Sequence, residues 1–184
     1  MLPFTAGWPS LAARYVHWLH DAEAGGWSFE AAESRIDMPA IEGEPLRLHG
    51  RIDRIDVRRD GDAVRLIDYK TNSEDALRAK VRQPLEDTQL AVYAALQSAR
   101  DGGRREIHAS YLALDDEEAV CEVEHPDVQH SAQRLLHELA QERQRIEAGA
   151  PLLALGQSPV CDTCEARGLC RRDHWAEPDE EPRR

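Results

Sequence analysis

Asp68 and Lys70 lie two residues apart in the run Ile67-Asp68-Tyr69-Lys70-Thr71-Asn72, and Asp53 and Asp56 fall in Gly50-Arg51-Ile52-Asp53-Arg54-Ile55-Asp56. Residues two apart on a strand share a face, so Asp68 and Lys70 set a carboxylate beside an ammonium. A neighbouring strand can add Asp53 to that face. Two converging carboxylates, with no sulfur or imidazole among them, are hard oxygen ligands suited to Mg²⁺ or Mn²⁺. Such an ion polarises a phosphoryl oxygen, lowers the pKa of a bound water and neutralises transition-state charge. A lysine beside it orients the water or stabilises the pentavalent phosphorus. Asp68 and Lys70 are both expected at the cleft with part of their surface exposed. Asp56, three residues beyond Asp53, should face the other way, where a salt bridge with an arginine is its expected role.

A second group is made of sulfur. Cys161, Cys164 and Cys170 crowd into ten residues, a spacing suited to zinc or to an iron–sulfur cluster. Three thiolates leave one position to fill, and His174 could complete a Cys₃His zinc site. Cys121, in Ala119-Val120-Cys121-Glu122-Val123, reads as a small hydrophobe within a strand.

The elements that must position these groups follow from periodicity. Ser10 is a plausible cap for a helix through Ala24, with Leu11, Tyr15, Trp18, Leu19 and Ala22 on one side and Gly25-Gly26 ending it. Trp27–Met38, Leu46–Val57 and Val64–Thr71 read as strands, the last two joined by the hairpin signal Asp60-Gly61-Asp62. A second helix opens at Pro84 or Asp87, is apolar nearly all round and closes at Gly102-Gly103, so it should be buried. Glu106–Leu114 and Ala119–Glu124 read as strands paired across the acidic turn 115–118. A third helix spans Asp127–Ala148, with Val128, Ala132, Leu135, Leu136, Leu139 and Ile146 in one stripe. Trp8, Trp18 and Trp27 read as packing anchors, and Glu177–Arg184 is too polar to fold alone. The order is helix, three strands, helix, two strands, helix, an α/β arrangement of a sheet with helices on its faces.

The conjunction of Gly50-Arg51-Ile52-Asp53, Asp68-Tyr69-Lys70 and Gln89-Leu90-Ala91-Val92-Tyr93 resembles the PD-(D/E)XK nuclease superfamily, and within it the RecB/AddB-like nuclease domains. The resemblance implies a restriction-endonuclease-like core, a mixed central sheet flanked by helices, followed by a cysteine-bearing metal segment. It implies that Asp53 and Asp68 ligate Mg²⁺ or Mn²⁺, that Tyr69 lends its backbone carbonyl, that Lys70 serves the attacking water, and that Gln89 and Tyr93 support the site and contact DNA. It further implies a [4Fe-4S] cluster on Cys161, Cys164 and Cys170, with Zn²⁺ as the alternative. The family also draws a His or Glu from an upstream helix in a Gly-x-x-x-His context, which this chain does not clearly contain. Glu33 could add a further carboxylate, while His17 and His20 lack that context. These departures suggest the C-terminal piece of a longer, helicase-like nuclease. The expected layout is a nuclease core over 1–156, the cysteine segment over 157–175 and a flexible tail over 176–184.

The chain has 184 residues and a formal net charge of −12, with 32% charged and 41% hydrophobic residues. That is one globular domain with room for a core. No window approaches a membrane span and the N-terminus lacks the build of a signal peptide, so a cytoplasmic protein is expected. The acidity argues against nonspecific coating of nucleic acid, but Glu44–Asn72 holds seven basic against six acidic residues. Its arginines would take a phosphate backbone. No Gly-rich phosphate loop or Ser-His-Asp order is present, so an ATPase or hydrolase of those types is unsupported. The expected function is a metal-dependent deoxyribonuclease, an exonuclease of DNA recombination and repair, with DNA and a helicase-like subunit as partners. The alternative is a catalytically inactive DNA-binding or scaffolding module of a helicase–nuclease complex.

Overall fold

The computed structural model describes residues 7–41, 46–82, 87–114, 119–151, 161 and 164–170. The chain divides into two compact units, Met1–Gln141 and Glu142–Arg184. The first carries helix α1 (Trp8–Ala24), strands β1 (Trp27–Pro39), β2 (Arg47–Arg58) and β3 (Ala63–Lys70), helices α2 (Glu74–Val81) and α3 (Gln89–Asp101), and strands β4 (Glu106–Ala113) and β5 (Cys121–Glu124). Helix α4 (Val128–Glu147) begins in the first unit, and the described part of the second includes the short helix α5 (Arg167–Cys170).

The strands lie side by side in chain order, β1-β2-β3-β4-β5. All neighbours are antiparallel except β3 and β4, which are parallel. A parallel pair needs a crossover, and α2 with α3 supplies it. The sheet is therefore mixed and flanked by helices, as expected.

Side chains of β3 and β4 alternate between two cores. Val64, Leu66, Ile107, Ala109 and Tyr111 pack with Leu90, Tyr93, Ala94 and Ala95 of α3, and Ile67 and Leu112 pack with Trp18 of α1. Helix α3 is buried through an apolar surface broken only by Gln97 and Asp101 among its buried residues. Its C-cap Gly102 takes the left-handed conformation (φ +69°), which a Cβ would oppose.

Strand β2 breaks strict alternation. Ile52 and Ile55, three apart, belong to the same core. The β1–β2 register shifts between Phe29 and Ala31, and further along Glu33 and Asp53 stand opposite each other between the pairs Ala32↔Arg54 and Ser34↔Ile52. Glu33 itself has φ +52°, a strained conformation for a residue with a Cβ.

Several boundaries differ from the sequence expectation. Helix α1 starts at Trp8 rather than after Ser10, with Gly7 as its cap residue and a proline in its first turn. Trp8 is 64% exposed, whereas Trp18 is buried. Helix α3 begins at Gln89, two residues after Asp87, and β5 begins at Cys121, so this half-buried cysteine opens the strand instead of sitting within it. Helix α2 is an addition to the expected elements, although its signals are in the sequence. Ser73 accepts from the Ala76 N–H, Glu74 and Asp75 sit in the first turn, Arg78 and Lys80 in the last, and Leu77 and Val81 are buried, a full set of start and stop signals in eight residues. The acidic turn 115–118, the Pro84 start and the tail from Glu177 lie outside the described residues.

Gly50 permits the close approach of α3 to β2. A Cβ there would stand 2.8 Å from Leu96 Cδ1 and 3.7 Å from Tyr93 Cε1, and Leu96 is fully buried. Gly50→Ala is expected to lose about 1–3 kcal/mol from this overpacking, read as a Tm lowered by several degrees in a thermal melt. An unchanged Tm would show that α3 moves away freely.

Candidate active site

Strand β3 ends in the chemistry-bearing run. The antiparallel β2–β3 pairing stops at Arg54↔Ile67. One step further on, a side chain replaces the backbone, because Asp53 Oδ2 accepts the Tyr69 backbone N–H at 3.1 Å. The strand irregularity at Asp53 thus delivers its carboxylate to β3. Tyr69 leaves only its backbone there, since its ring turns to the α1 side, where its hydroxyl meets that of Tyr15 at 2.8 Å. Burial pushes the Tyr69 phenol well above its usual pKa, and the Tyr15 contact adds to the rise.

Asp68 and Lys70 do share a face. The Lys70 ammonium lies 2.7 Å from Asp68 Oδ2 and donates to Gln89 Oε1 at 2.8 Å. Asp68 Oδ1 accepts from Gln89 Nε2 at 2.5 Å and from the Tyr93 hydroxyl at 3.1 Å, and Gln89 Nε2 also lies 3.1 Å from the Tyr93 oxygen. The spacing Gln89 to Tyr93 is one helical turn, so both reach the same carboxylate. The structure thus brings Asp68, Lys70, Gln89 and Tyr93 into one hydrogen-bonded cluster with Asp53 at its edge.

The expectation of a partly exposed Asp68 is corrected. It is 2% exposed, because α3 covers it. Burial raises its carboxyl above the ordinary range, with a smaller push from Asp53, against the pull of Lys70 and Tyr93. Tyr93 is pushed up to about 12, first by burial and then by the charges of Asp68 and Asp53, against the hydrogen bond of Gln89.

The donor set fits a divalent cation. Asp68 Oδ2 is buried and, although Lys70 is near, has no donor aligned as a hydrogen bond. Asp53 and Asp68 offer oxygen alone, and Mg²⁺ is commonly held by one or two carboxylates with waters filling the rest. No three His, Cys, Asp or Glu side chains gather into a metal-holding group among the described residues. That applies to the sulfur segment too. Cys161 and Cys170 are half-buried and Cys164 is exposed, and the Cys164 N–H donates to the Cys161 carbonyl. His174 lies outside the described residues. Glu33 is exposed and pairs with Arg51 at 2.8 Å, and His17 is exposed beside Asp21.

Asp56 behaves as expected of a structural ion. It is fully buried on the opposite side of the sheet, with Arg54 at 2.7 Å and Arg65 at 2.9 Å. Arg54 lies over Trp18 and Phe29, and Arg65 over Trp18 and Trp27. These two arginines are corrected from phosphate contacts to buried counter-ions, and Arg59 is engaged by the Glu23 carbonyl.

Three neighbours of the site, Tyr111, Asp87 and Lys80, escape sequence reasoning. Tyr111, paired with Asp68 in the β3–β4 ladder, donates its hydroxyl to Asp87 Oδ1 at 2.7 Å, and Lys80 pairs with Asp87 Oδ2 at 2.9 Å. Burial alone would raise the Asp87 carboxyl, but hydrogen bonds from Tyr111, Lys80 and the Gln89 N–H hold it below the usual range. Burial drives the Tyr111 phenol far above its usual pKa, helped by Asp87. Only the crossover geometry joins these residues, so no spacing rule could have found them.

The raised Asp68 carboxyl gives a stability signature. The folded chain holds the Asp68 proton more tightly than the unfolded chain, whose carboxyl titrates near the ordinary 3.8. Stability from this group therefore falls as pH rises from that value through the folded pKa. Asp68→Asn is expected to melt above the native chain at pH 7 in chelator, with the gap closing as pH falls toward 4. A variant that melts lower at pH 7 would contradict the assignment of a charge held against burial.

A family model described as the PD-(D/E)XK nuclease superfamily matches residues 3–171. The chain is 35% identical over 88 residues to an ATP-dependent helicase/deoxyribonuclease subunit of Clostridium tetani, covering 44% of this chain and 8% of that protein. It is 37% identical over 106 residues to the protein of the same name from Alkaliphilus oremlandii, covering 48% and 9%, and 38% identical over 93 residues to that of Alkaliphilus metalliredigens, covering 44% and 8%. The matches span less than a tenth of each relative's length.

Proposed function

The chain belongs to the PD-(D/E)XK nuclease superfamily, and from that premise we propose that it is a Mg²⁺- or Mn²⁺-dependent deoxyribonuclease domain of DNA recombination and repair that acts as an exonuclease. The observation that supports this most is the cluster of Asp68, Lys70, Gln89 and Tyr93 with Asp53 bound to the adjoining backbone. Asp53, Asp68 and the Tyr69 carbonyl would hold the cation. When bound, it supplies Lewis acidity toward the phosphoryl group and makes water more acidic.

The remaining work belongs to the chain. Gln89 and Tyr93 occupy Oδ1 of Asp68, which fixes the carboxylate, and Oδ2, now paired with the Lys70 ammonium, is the oxygen that would turn to the cation. Lys70, held between Asp68 and Gln89, places one ammonium where it can steady an incoming water and the phosphoryl oxygens. Hydrolysis adds the water oxygen to phosphorus and breaks the bond to the leaving sugar oxygen, which takes up a proton. The products are a phosphate monoester and a hydroxyl.

The names of the relatives carry helicase as well as deoxyribonuclease, which supports a helicase-like subunit or region as this domain's partner. No helix among the described residues is long and apolar enough to cross a membrane. On spacing alone, Cys161, Cys164 and Cys170 are read as ligands of an iron–sulfur cluster or of zinc, and iron, sulfide and zinc analysis of anaerobically purified protein checks that reading.

Labelled single- and double-stranded DNA incubated with Mn²⁺ or Mg²⁺ tests the function. Cleavage is expected, abolished by chelator and lowered at least ~100-fold by Asp68→Ala or Lys70→Ala, as losing several kcal/mol of transition-state stabilisation requires. Circular dichroism should show both variants folded. Folded native protein that binds DNA but does not cut it would replace the reading with a scaffolding module.

A further inference from the structure

Tyr111 connects the two halves of the site without reaching the metal ligands' oxygens. It is 1% exposed and lies beside Asp68 in the parallel ladder. The Lys70 ammonium lies 5.4 Å from its ring centroid, within cation–π range. Its hydroxyl donates to Asp87 Oδ1 at 2.7 Å. The same Asp87 oxygen accepts the backbone N–H of Gln89 at 3.3 Å, while Oδ2 pairs with Lys80 of α2 at 2.9 Å.

Gln89 is the first residue of α3, and the cap residue before it, Thr88, makes no side-chain cap bond. The N–H at the head of the helix is therefore held by Asp87, and Asp87 is held by β4. This matters because the two ends of one amide serve different partners. Gln89 Oε1 faces Lys70 and Nε2 faces Asp68 and Tyr93. A displacement of the helix head would lose both together, and such supporting hydrogen bonds decide how well a metal-ligating carboxylate is aimed.

We propose that Tyr111 and Asp87 are positioning residues whose hydroxyl–carboxylate bond sets the head of α3, and through it the Gln89 amide that bridges Asp68 to Lys70. The proposal rests on reading the Asp68 cluster as a nuclease site. Lys80, on the opposite Asp87 oxygen, is its counter-ion and ties α2 to the same point.

Three variants separate this role from plain packing. Tyr111→Phe keeps the ring, its burial and its place under Lys70, and removes one hydrogen bond. Asp87→Ala removes the acceptor, and Asp87→Asn keeps an oxygen for Tyr111 and for the Gln89 N–H. With Mn²⁺ and labelled DNA, Tyr111→Phe and Asp87→Ala are expected to lower kcat about 10- to 100-fold, the usual size for a support of a metal ligand. The KM for DNA should not move, and Asp87→Asn should recover most of the rate. In ¹⁵N-labelled protein the Gln89 side-chain amide resonances should shift in Tyr111→Phe and stay near native in Asp87→Asn. Native kcat with unshifted amide resonances in Tyr111→Phe would overturn the proposal, as would an Asp87→Asn variant as slow as Asp87→Ala. If the native protein cuts no DNA, the nuclease reading fails and the amide resonances alone decide. If Tyr111→Phe does not fold, the contrast between Asp87→Ala and Asp87→Asn decides.

Discussion

A carboxylate almost without access to water must be given partners by the chain, and the Asp68 carboxylate sets that demand here. It is answered from two directions. Lys70 comes from its own strand, while Gln89 and Tyr93 come from α3. Helix α3 must therefore lie at one height against the sheet. From this follow the bare Cα of Gly50, where any side chain would meet Leu96 and Tyr93, and the apolar surface with which α3 enters the core. The parallel pairing of β3 with β4, closed by the crossover through α2 and α3, is what carries the helix back over the strand that bears Asp68.

The sheet buries a second carboxylate, and the two are held in contrasting ways. Asp56 has two guanidinium partners, each stacked over aromatic rings. Its charge is balanced by Arg54 and by Arg65, the latter shared with Glu122, and only the loss of both would leave a buried ion uncompensated. Asp68 has one ammonium and two uncharged donors, and burial still holds its proton more tightly than usual. A buried group left short of positive charge is where a cation would find favourable binding, which is the basis for proposing Asp68 as a ligand.

The cluster was legible because it is built on local rules. Asp68 and Lys70 follow from strand periodicity and Asp53 from its place on the neighbouring strand, while Gln89 and Tyr93, one helical turn apart, come from the family resemblance. Asp56 was legible for the same reason, as the residue that faces away. What escaped depends on distant pairing. Tyr111 enters the site only because β4 runs parallel to β3, and Asp87 only because the crossover returns there. Burial escaped as well: the spacing of Asp68 shows which way it points but not that α3 will cover it. Helix α2 escaped for a simpler reason, since its eight residues carry only two buried side chains, Leu77 and Val81, too short a stripe for periodicity to stand out.

Strand β1 ends the sheet on one side, and its thirteen residues would, if regular, present a long row of backbone groups to any extended chain that drifted past. The row is interrupted. Its register shifts between Phe29 and Ala31, and Glu33 steps into left-handed backbone a few residues later, with Glu30, Glu33, Arg35 and Asp37 placing charge along the same stretch. An edge broken in this way, with the left-handed Glu33 standing opposite Asp53, offers a neighbouring extended chain a poor template for continuous pairing.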